Sequence, residues 1–381
     1  MTEELLQFAT EKQAQYLKSY IDHNSYSIVA REFNVNESTV RRTLKKLRKK
    51  ATAQGYSPKH DMTHIVPEGY SVKGVSTLYG DDGKPKCQWV KSSKDKTQQT
   101  LDVLRDAVSD IVEGVKGAYR PTSIETECNG DLLCVYPVAD AHLGMYAWRE
   151  ETGEDWDSDL CAETLYKTMS NLVAKAPPAK TALIANLADF FHCDSNSKTT
   201  ARSGHILDVD TRWARVFRIG QQCYRQMIEL ALTKHENVIV KSAIGNHDDN
   251  TGVALAMMME AYFGNEPRVT IDVPINPFSY YRFGNTLLGL NHNVKAAMLP
   301  GIMAADQREA WGQTRFHHWL GGHIHHQTFH EFAGCTTETF RSPSPKDNWT
   351  HSSGYRADRD MVMIKYHREK GCVGRIIEPI Y

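Results

Sequence analysis

From Leu132 onward the chain repeats one pattern: a short apolar run that ends in a cluster of His, Asp, Asn and Gly. The runs DLLCVYPVAD, KTALIANLAD and ENVIVKSAIGN suit one buried strand each and are short for a helix. Between them lie stretches of helical periodicity. From Asp208 to His235, Val209, Trp213, Val216, Phe217, Tyr224, Met227 and Ile228 recur on one stripe. The later segments FSYYRFGNTLLGLNHN, FHHWLGGHIHH and MVMIKYHREKGCVGRIIEPI are strand-like with few helices between them. This alternation predicts an α/β sandwich with its helices outside, a class that places its sites at the polar ends of the strands.

Those ends carry chemistry in order. The first presents Asp140-Ala141-His142-Leu143-Gly144, and the second Ala188-Asp189-Phe190-Phe191-His192-Cys193-Asp194. The third presents Gly245-Asn246-His247-Asp248-Asp249. Asn291-His292-Asn293 and Gly322-His323-Ile324-His325-His326 follow. Histidine is the unusual count, with 17 in the chain and 14 from His142 onward, and imidazole is the commonest side-chain metal ligand. Cleaving a phosphate ester with two ions about 3.5–4 Å apart needs such a set. A carboxylate must bridge the ions, and imidazoles and oxygens fill the other positions. In extended backbone residues i and i+2 point the same way. Asp140 with His142, and His323 with His325, are therefore expected to present pairs of side chains to one pocket.

These five blocks together resemble the calcineurin-like metallophosphoesterase superfamily, whose pattern is D-x-H, G-D-x-x-D/H, G-N-H-D/E, a lone His and G-H-x-H. The resemblance covers roughly Leu132 to Tyr381. It implies a four-layer α/β/β/α sandwich binding two divalent ions, with manganese favoured over iron or zinc. It also implies that Asp140, His142, Asp189 and His325 hold the first ion. Asp189 would bridge to the second, held with Asn246, His292 and His323. His247 would be the acid or transition-state stabiliser, and His192 would help position the phosphate. D-x-H-L-G, D-x-F-H and G-N-H-D-D look more like the nuclease subunits of double-strand-break repair complexes (the SbcD type) than like protein phosphatases. One departure is Ala188, where the family carries glycine before the bridging aspartate; an altered loop geometry is expected there. Asp194, Asp248, Asp249 and His326 read as supporting or solvated neighbours. His317 and His318 read as surface or packing residues, and Tyr280, Tyr281 and Trp311 as core. RSPSPKDNWTHSSGY reads as a loop, with a role over the site left open.

The front of the chain follows another logic. SIVAREFNVNESTVRRTLKKLRKK has the form of a helix-turn-helix. Ala30 is small where two helices would cross, and Asn34 tolerates the left-handed turn. The second helix would turn Ser38, Thr39, Arg41, Arg42 and Lys45 towards a DNA groove. Lys46, Arg48, Lys49 and Lys50 would add phosphate contacts. From Arg41 to Lys50 seven residues are cationic and none is acidic. The expected division is a small all-α DNA-binding domain at 1–52, a connector at 53–128 and the phosphoesterase domain at 129–381. Within the connector, GVSTLYGDDGKPKCQWVK reads as a hairpin turning at Asp82-Gly83, and LDVLRDAVSDIVEGV as a helix.

Composition narrows the class further. Eight cysteines occur, none two or three residues from another, which argues against a zinc knuckle and for reduced, cytosolic thiols. The N-terminus MTEELLQFATEK lacks signal-peptide features, and no run approaches the roughly 18 apolar residues of a membrane span. A cytoplasmic location follows, the host cytoplasm if the chain is phage-encoded, an origin of which the pairing of modules is reminiscent. The expected activity is phosphodiester hydrolysis by a DNA nuclease. The rivals are a phosphatase or cyclic-nucleotide phosphodiesterase whose front module localises it, and a DNA-binding regulator with a vestigial enzyme. DNA is the expected partner; a homodimer stays open, and a partner ATPase is not revealed.

Overall fold

The computed structural model describes residues 3–54, 56, 66, 70–81, 85–94, 119, 127–200 and 203–381. The chain divides into two compact units, Met1–Asp106 and Ala107–Tyr381. Among the described residues no helix is long and apolar enough to cross a membrane.

Among its described residues the first unit holds three α-helices, α1 (Glu11–His23), α2 (Tyr26–Glu32) and α3 (Glu37–Ala53). Thr10 and Gln13 form a capping box at the start of α1, which satisfies orphan amides there. Asn24 (φ 45°) and Asn34 (φ 50°) take the left-handed conformations that end α1 and turn α2 into α3. Tyr16, Leu17, Val29, Ala30, Val40, Leu44 and Leu47 close the core between the helices. The same unit holds the hairpin β1 (Tyr70–Tyr79) and β2 (Pro85–Lys94), paired antiparallel. The expected turn at Asp82-Gly83 and the expected helix at 101–115 lie outside the described residues.

The second unit is built on two sheets. One has the strand order β13-β12-β3-β4-β5-β6. Its strands are β3 (Asn129–Val138), β4 (Ala179–Asn186), β5 (Asn237–Ser242), β6 (Val269–Asp272), β12 (Arg359–His367) and β13 (Gly371–Ile380). Strands β3 to β6 run parallel and β12 antiparallel to β3. Pro137 lies inside β3 at no cost to the ladder on the β12 side, because β12 pairs only from Leu132 to Val135. The other sheet has the order β10-β11-β9-β8-β7. It comprises β7 (Ser279–Phe283), β8 (Thr286–Asn291), β9 (Phe316–Gly321), β10 (Thr328–Phe332) and β11 (Cys335–Thr339). Leu133, Val135, Leu183 and Ala185 of the first sheet share one buried cluster with Leu288, Leu290 and Leu320 of the second. That apolar face joins the two sheets into one core. The helix expected from Asp208 begins at Trp213 and runs to Leu232. The residues before it are held in loop contacts instead, such as Tyr146 N to Asp208 O and Asp210 N to Gly144 O.

Candidate metal centre

Strands β3, β4, β5, β8 and β9 each stop just before one of the five polar clusters. The clusters are brought together. Asp140, His142 and His325 form one group of metal-capable atoms, Asp189, His292 and His323 a second, and His142, His192 and His247 a third. Asp140, His142, Asp189, His192 and His292 are buried, and His323 is the exposed member. His142 Nε2 faces His325 Nε2 at 3.0 Å, and His325 Nε2 lies 3.6 Å from Asp140 Oδ1. His292 Nε2 lies 2.8 Å from Asp189 Oδ2 and 3.2 Å from Asn246 Oδ1. All seven expected ligands therefore line one site, with His192 and His247 beside them.

The pairing does not arise from extended backbone, as the i, i+2 spacing implied. Asp140 (φ 50°), His142 (46°), Asp189 (49°), His323 (80°) and His325 (57°) are all left-handed. Each such non-glycine residue costs of order 1–2 kcal/mol, and such strain gathers at functional sites. The strands have already ended, and the side chains are aimed by tight turns. Ala188 is left-handed too, at φ 71°, which accounts for glycine being the residue that suits this position.

Neighbouring groups hold the turns in place. Asp140 N donates to Ala188 O (3.2 Å), and His142 N to Asp189 O (3.0 Å), so the first two ligand loops are laced together. The Asp140 carboxylate accepts from His323 N at 2.9 and 2.8 Å. Ser342 Oγ donates to Asp140 O (2.8 Å) and Ser344 Oγ to Ala141 O. Asp248, expected only as a neighbour, is buried and accepts from Asp189 N (3.0 Å) and Phe191 N (3.2 Å). Asp194 accepts from Asn250 N and Thr251 N at the start of the helix Thr251–Tyr262. Of the two roles expected for these neighbours, supporting or solvated, Asp194 and Asp248 take the supporting one. Gly245 is needed for space, since a Cβ there would lie 2.0 Å from Asp189 Oδ1.

Electrostatics fits a cation-binding pocket. Burial, then the neighbouring His247, pushes His192 down to about 3. Burial, then His292, pushes His323 down to about 4. His142 is driven well below its ordinary value by burial and then by His247, so these imidazoles are neutral donors of lone pairs. Burial raises the Asp140 carboxyl, and the Asp189 charge adds to that. Burial also opposes ionisation of Asp189 and His292, but their mutual attraction wins, holding Asp189 below the carboxylate range and His292 up at about 9. Burial and then the Asp189 charge lift Asp248 to about 8. His292 Nδ1 lies 2.9 Å from Leu187 O. A proton donated there leaves Nε2 turned to the site, as in metal-ligating histidines. Buried His192 Nε2 finds no hydrogen-bond partner among the described residues. A nitrogen and oxygen donor set without thiolate, with lone pairs left facing one another, fits divalent ions.

The other named residues are placed elsewhere. His317 stacks on Trp311 (3.8 Å), and His318 Nδ1 pairs with Tyr366 OH (2.6 Å). Tyr280 packs with Trp319 in a core cluster, and Tyr281 packs against the inter-sheet core. In the first unit Ser38, Arg41, Arg42, Lys45, Lys46, Arg48 and Lys49 are exposed on α3 and Thr39 is half-buried. Arg41 is partly committed: it pairs with Glu37 (2.7 Å) and lies over the Tyr26 ring (4.5 Å).

No known family profile and no curated protein matches this chain. Solved structures that resemble it include a conserved uncharacterised protein from Streptococcus pneumoniae described as a predicted phosphoesterase. It is 8% identical with a TM-score of 0.26, over 65% of this chain and 98% of that one. Wild-type Vps29 complexed with zinc, from Entamoeba histolytica, is 10% identical with a TM-score of 0.27, over 65% and 98%. A purple acid phosphatase from yellow lupin seeds is 8% identical with a TM-score of 0.31, over 66% and 54%. Likeness at this level decides nothing about activity, which rests on the site itself.

Proposed function

We propose that this chain is a two-metal phosphodiesterase that cuts nucleic acid. The observation that carries the reading is the convergence of Asp140, His142 and His325 with Asp189, His292 and His323 on one pocket. In the proposed assignment the first three residues hold one ion. Asp189 bridges to a second, held with Asn246, His292 and His323. Two bound divalent ions would supply a water activated near neutral pH and neutralise phosphate charge. The chain supplies the rest. His247 Nδ1 lies 2.8 Å from His192 O, and a hydrogen bond there leaves Nε2 to donate to the leaving oxygen or steady its charge. His247 N donates to Asp189 Oδ1 (2.9 Å), which ties the acid to the carboxylate beside it. His192 packs against both His142 and His247.

A groove beside the site, with Lys346 and Arg356 as its cations outside the ion pairs of Arg341 and Arg359, gives room for a substrate longer than a small monoester. A cavity of about 520 Å³ shares His325 and Tyr355 with the centre and is lined by the cations Arg341, Lys346, Arg356 and Arg359, against the carboxylates Glu154, Asp358 and Asp360, so the cationic excess is small. Arg341 and Arg359 are set in place by Asp360 and Glu154. The basic face of α3 supports the same reading, as a helix-turn-helix that contacts DNA phosphates. Finer readings belong to the same proposal: a manganese nuclease of the double-strand-break repair type, in an α/β/β/α layering, serving phage DNA metabolism. The test is the Mn²⁺-loaded protein on labelled single- and double-stranded DNA beside bis-p-nitrophenyl phosphate. Cleavage of both substrates is expected. Cleavage of bis-p-nitrophenyl phosphate with both DNA substrates left intact would replace the nuclease with a small-molecule phosphodiesterase.

A further inference from the structure

The pocket that gathers the metal-capable residues has further lining of different chemistry. Its cavity of about 270 Å³ is lined by His142, Asp189, His247 and His325, and also by His205, Trp349 and Tyr355. The three rings form a chain. His205 lies 5.5 Å from Trp349, Trp349 lies 5.8 Å from Tyr355, and Tyr355 lies 6.5 Å from His325 of the centre. Trp349 is 50% exposed and lines the pocket.

That exposure is built in. Trp349 belongs to the short helix Asn348–Ser352, whose cap residue Asp347 accepts from Thr350 N (2.8 Å) and Thr350 Oγ1 (2.6 Å). Asp347 and Thr350 are both buried, so the helix is anchored from below while the indole faces outward. The same stretch of chain carries Ser342 and Ser344, which hold the backbone of Asp140 and Ala141. The segment that carries the ring thus also braces the first ligand turn. A single exposed apolar side chain is ordinary. An anchored indole in a series of rings leading to a phosphate-cleaving centre has the form of a stacking platform, since every base has a π-face that stacks on aromatic side chains.

We propose that Trp349, backed by Tyr355, stacks a nucleobase next to the phosphate held at the centre, so that the site takes nucleotide phosphodiesters and discriminates against esters without a base. This rests on the phosphodiesterase reading. A nucleoside monophosphate is the smallest probe with both a phosphate and a base. Binding of thymidine 5′-monophosphate and of methyl phosphate to the full-length protein in Mn²⁺ would be measured by calorimetry.

The wild type is expected to bind the nucleotide about ten-fold or more tightly than methyl phosphate, the scale of one base–aromatic stack. Trp349→Ala should bring the two within about two-fold, and Trp349→Phe should keep most of the preference. Equal affinities in the wild type, no nucleotide binding, or an undiminished preference in Trp349→Ala would overturn the proposal. Hydrolysis of methyl p-nitrophenyl phosphate by the same wild-type preparation judges the underlying reading separately. A base preference without any ester hydrolysis would keep the platform and remove the phosphodiesterase, whereas hydrolysis without base preference would do the reverse.

Discussion

The two units use left-handed backbone in opposite ways. In the first, Asn24 and Asn34 adopt it at the end of one helix and at the turn between two others. Asparagine is among the side chains that tolerate it best, and the cost is small and local. In the second, Asp140, His142, Ala188, Asp189, His323 and His325 adopt it together around one buried pocket. Ala188 has no such tolerance, and the aspartates and histidines share only part of it; the cluster is held there by His323 N, Ser342, Asp248 and the lacing of two loops. Where the chain only needs to turn, it uses a residue suited to turning. Where it needs a ligand at the turn, it keeps the ligand and braces the strain from outside.

This contrast breaks most severely at Gly245. The Cβ of Gly245→Ala would collide with Asp189 Oδ1 and press on Asp248 Oδ1. Loss of bound metal and of hydrolysis to background is expected, with helicity of the first unit retained; metal analysis beside far-ultraviolet circular dichroism checks it. Next comes His247→Ala. With its backbone contact to Asp189 retained, it should keep the metal content and lower turnover by about 10²–10⁴-fold, the scale for a general acid. If metal were lost as well, His247 would be a ligand.

Smaller effects are expected on the exposed helix face. Arg42, Lys45 and Lys46 are exposed along α3. Replacing all three by alanine should weaken DNA binding and flatten the slope of log affinity against log salt by about 0.9 for each phosphate that is no longer neutralised. Hydrolysis of bis-p-nitrophenyl phosphate should stay within a few-fold. An unchanged slope would mean that this face does not read DNA. The smallest effect sharpens the comparison itself. Ala188→Gly relieves a left-handed alanine and should stabilise the protein by about 1 kcal/mol. Asn34→Gly should change stability by no more than about 0.5 kcal/mol, since asparagine already suits its turn. Urea midpoints of both variants give the readout.

Much of the site was legible because metal chemistry restricts residue types. Asp140, Asp189, His292 and His325 announce themselves at the ends of apolar runs whose burial the strands require. Their geometry was not legible. The i, i+2 rule describes strands, and these residues begin where β3 and β9 have stopped. Asp248 was readable as a supporting neighbour but not which amides it holds, and Ser342 was silent, because both act through backbone contacts that no spacing encodes. Trp349 lay in a Ser/Pro-rich stretch that read as a loop, and only the cap at Asp347 turns it into a fixed ring beside the pocket. At the front of the chain Asn34 was readable as a turn, and the structure places it at φ 50°. The pairing of Arg41 with Glu37 one turn earlier changes how much of the basic run is free to meet phosphate.

The most direct test of the metal centre is metal stoichiometry joined to activity on one sample. The protein would be stripped with EDTA, titrated with Mn²⁺, and followed both by elemental analysis and by hydrolysis of bis-p-nitrophenyl phosphate. Two manganese ions per chain are expected, with hydrolysis absent from the stripped protein and returning as the second ion binds. Full hydrolysis by protein shown to be metal-free would contradict the assignment of Asp140, His142, Asp189, Asn246, His292, His323 and His325 as ligands of a catalytic metal pair.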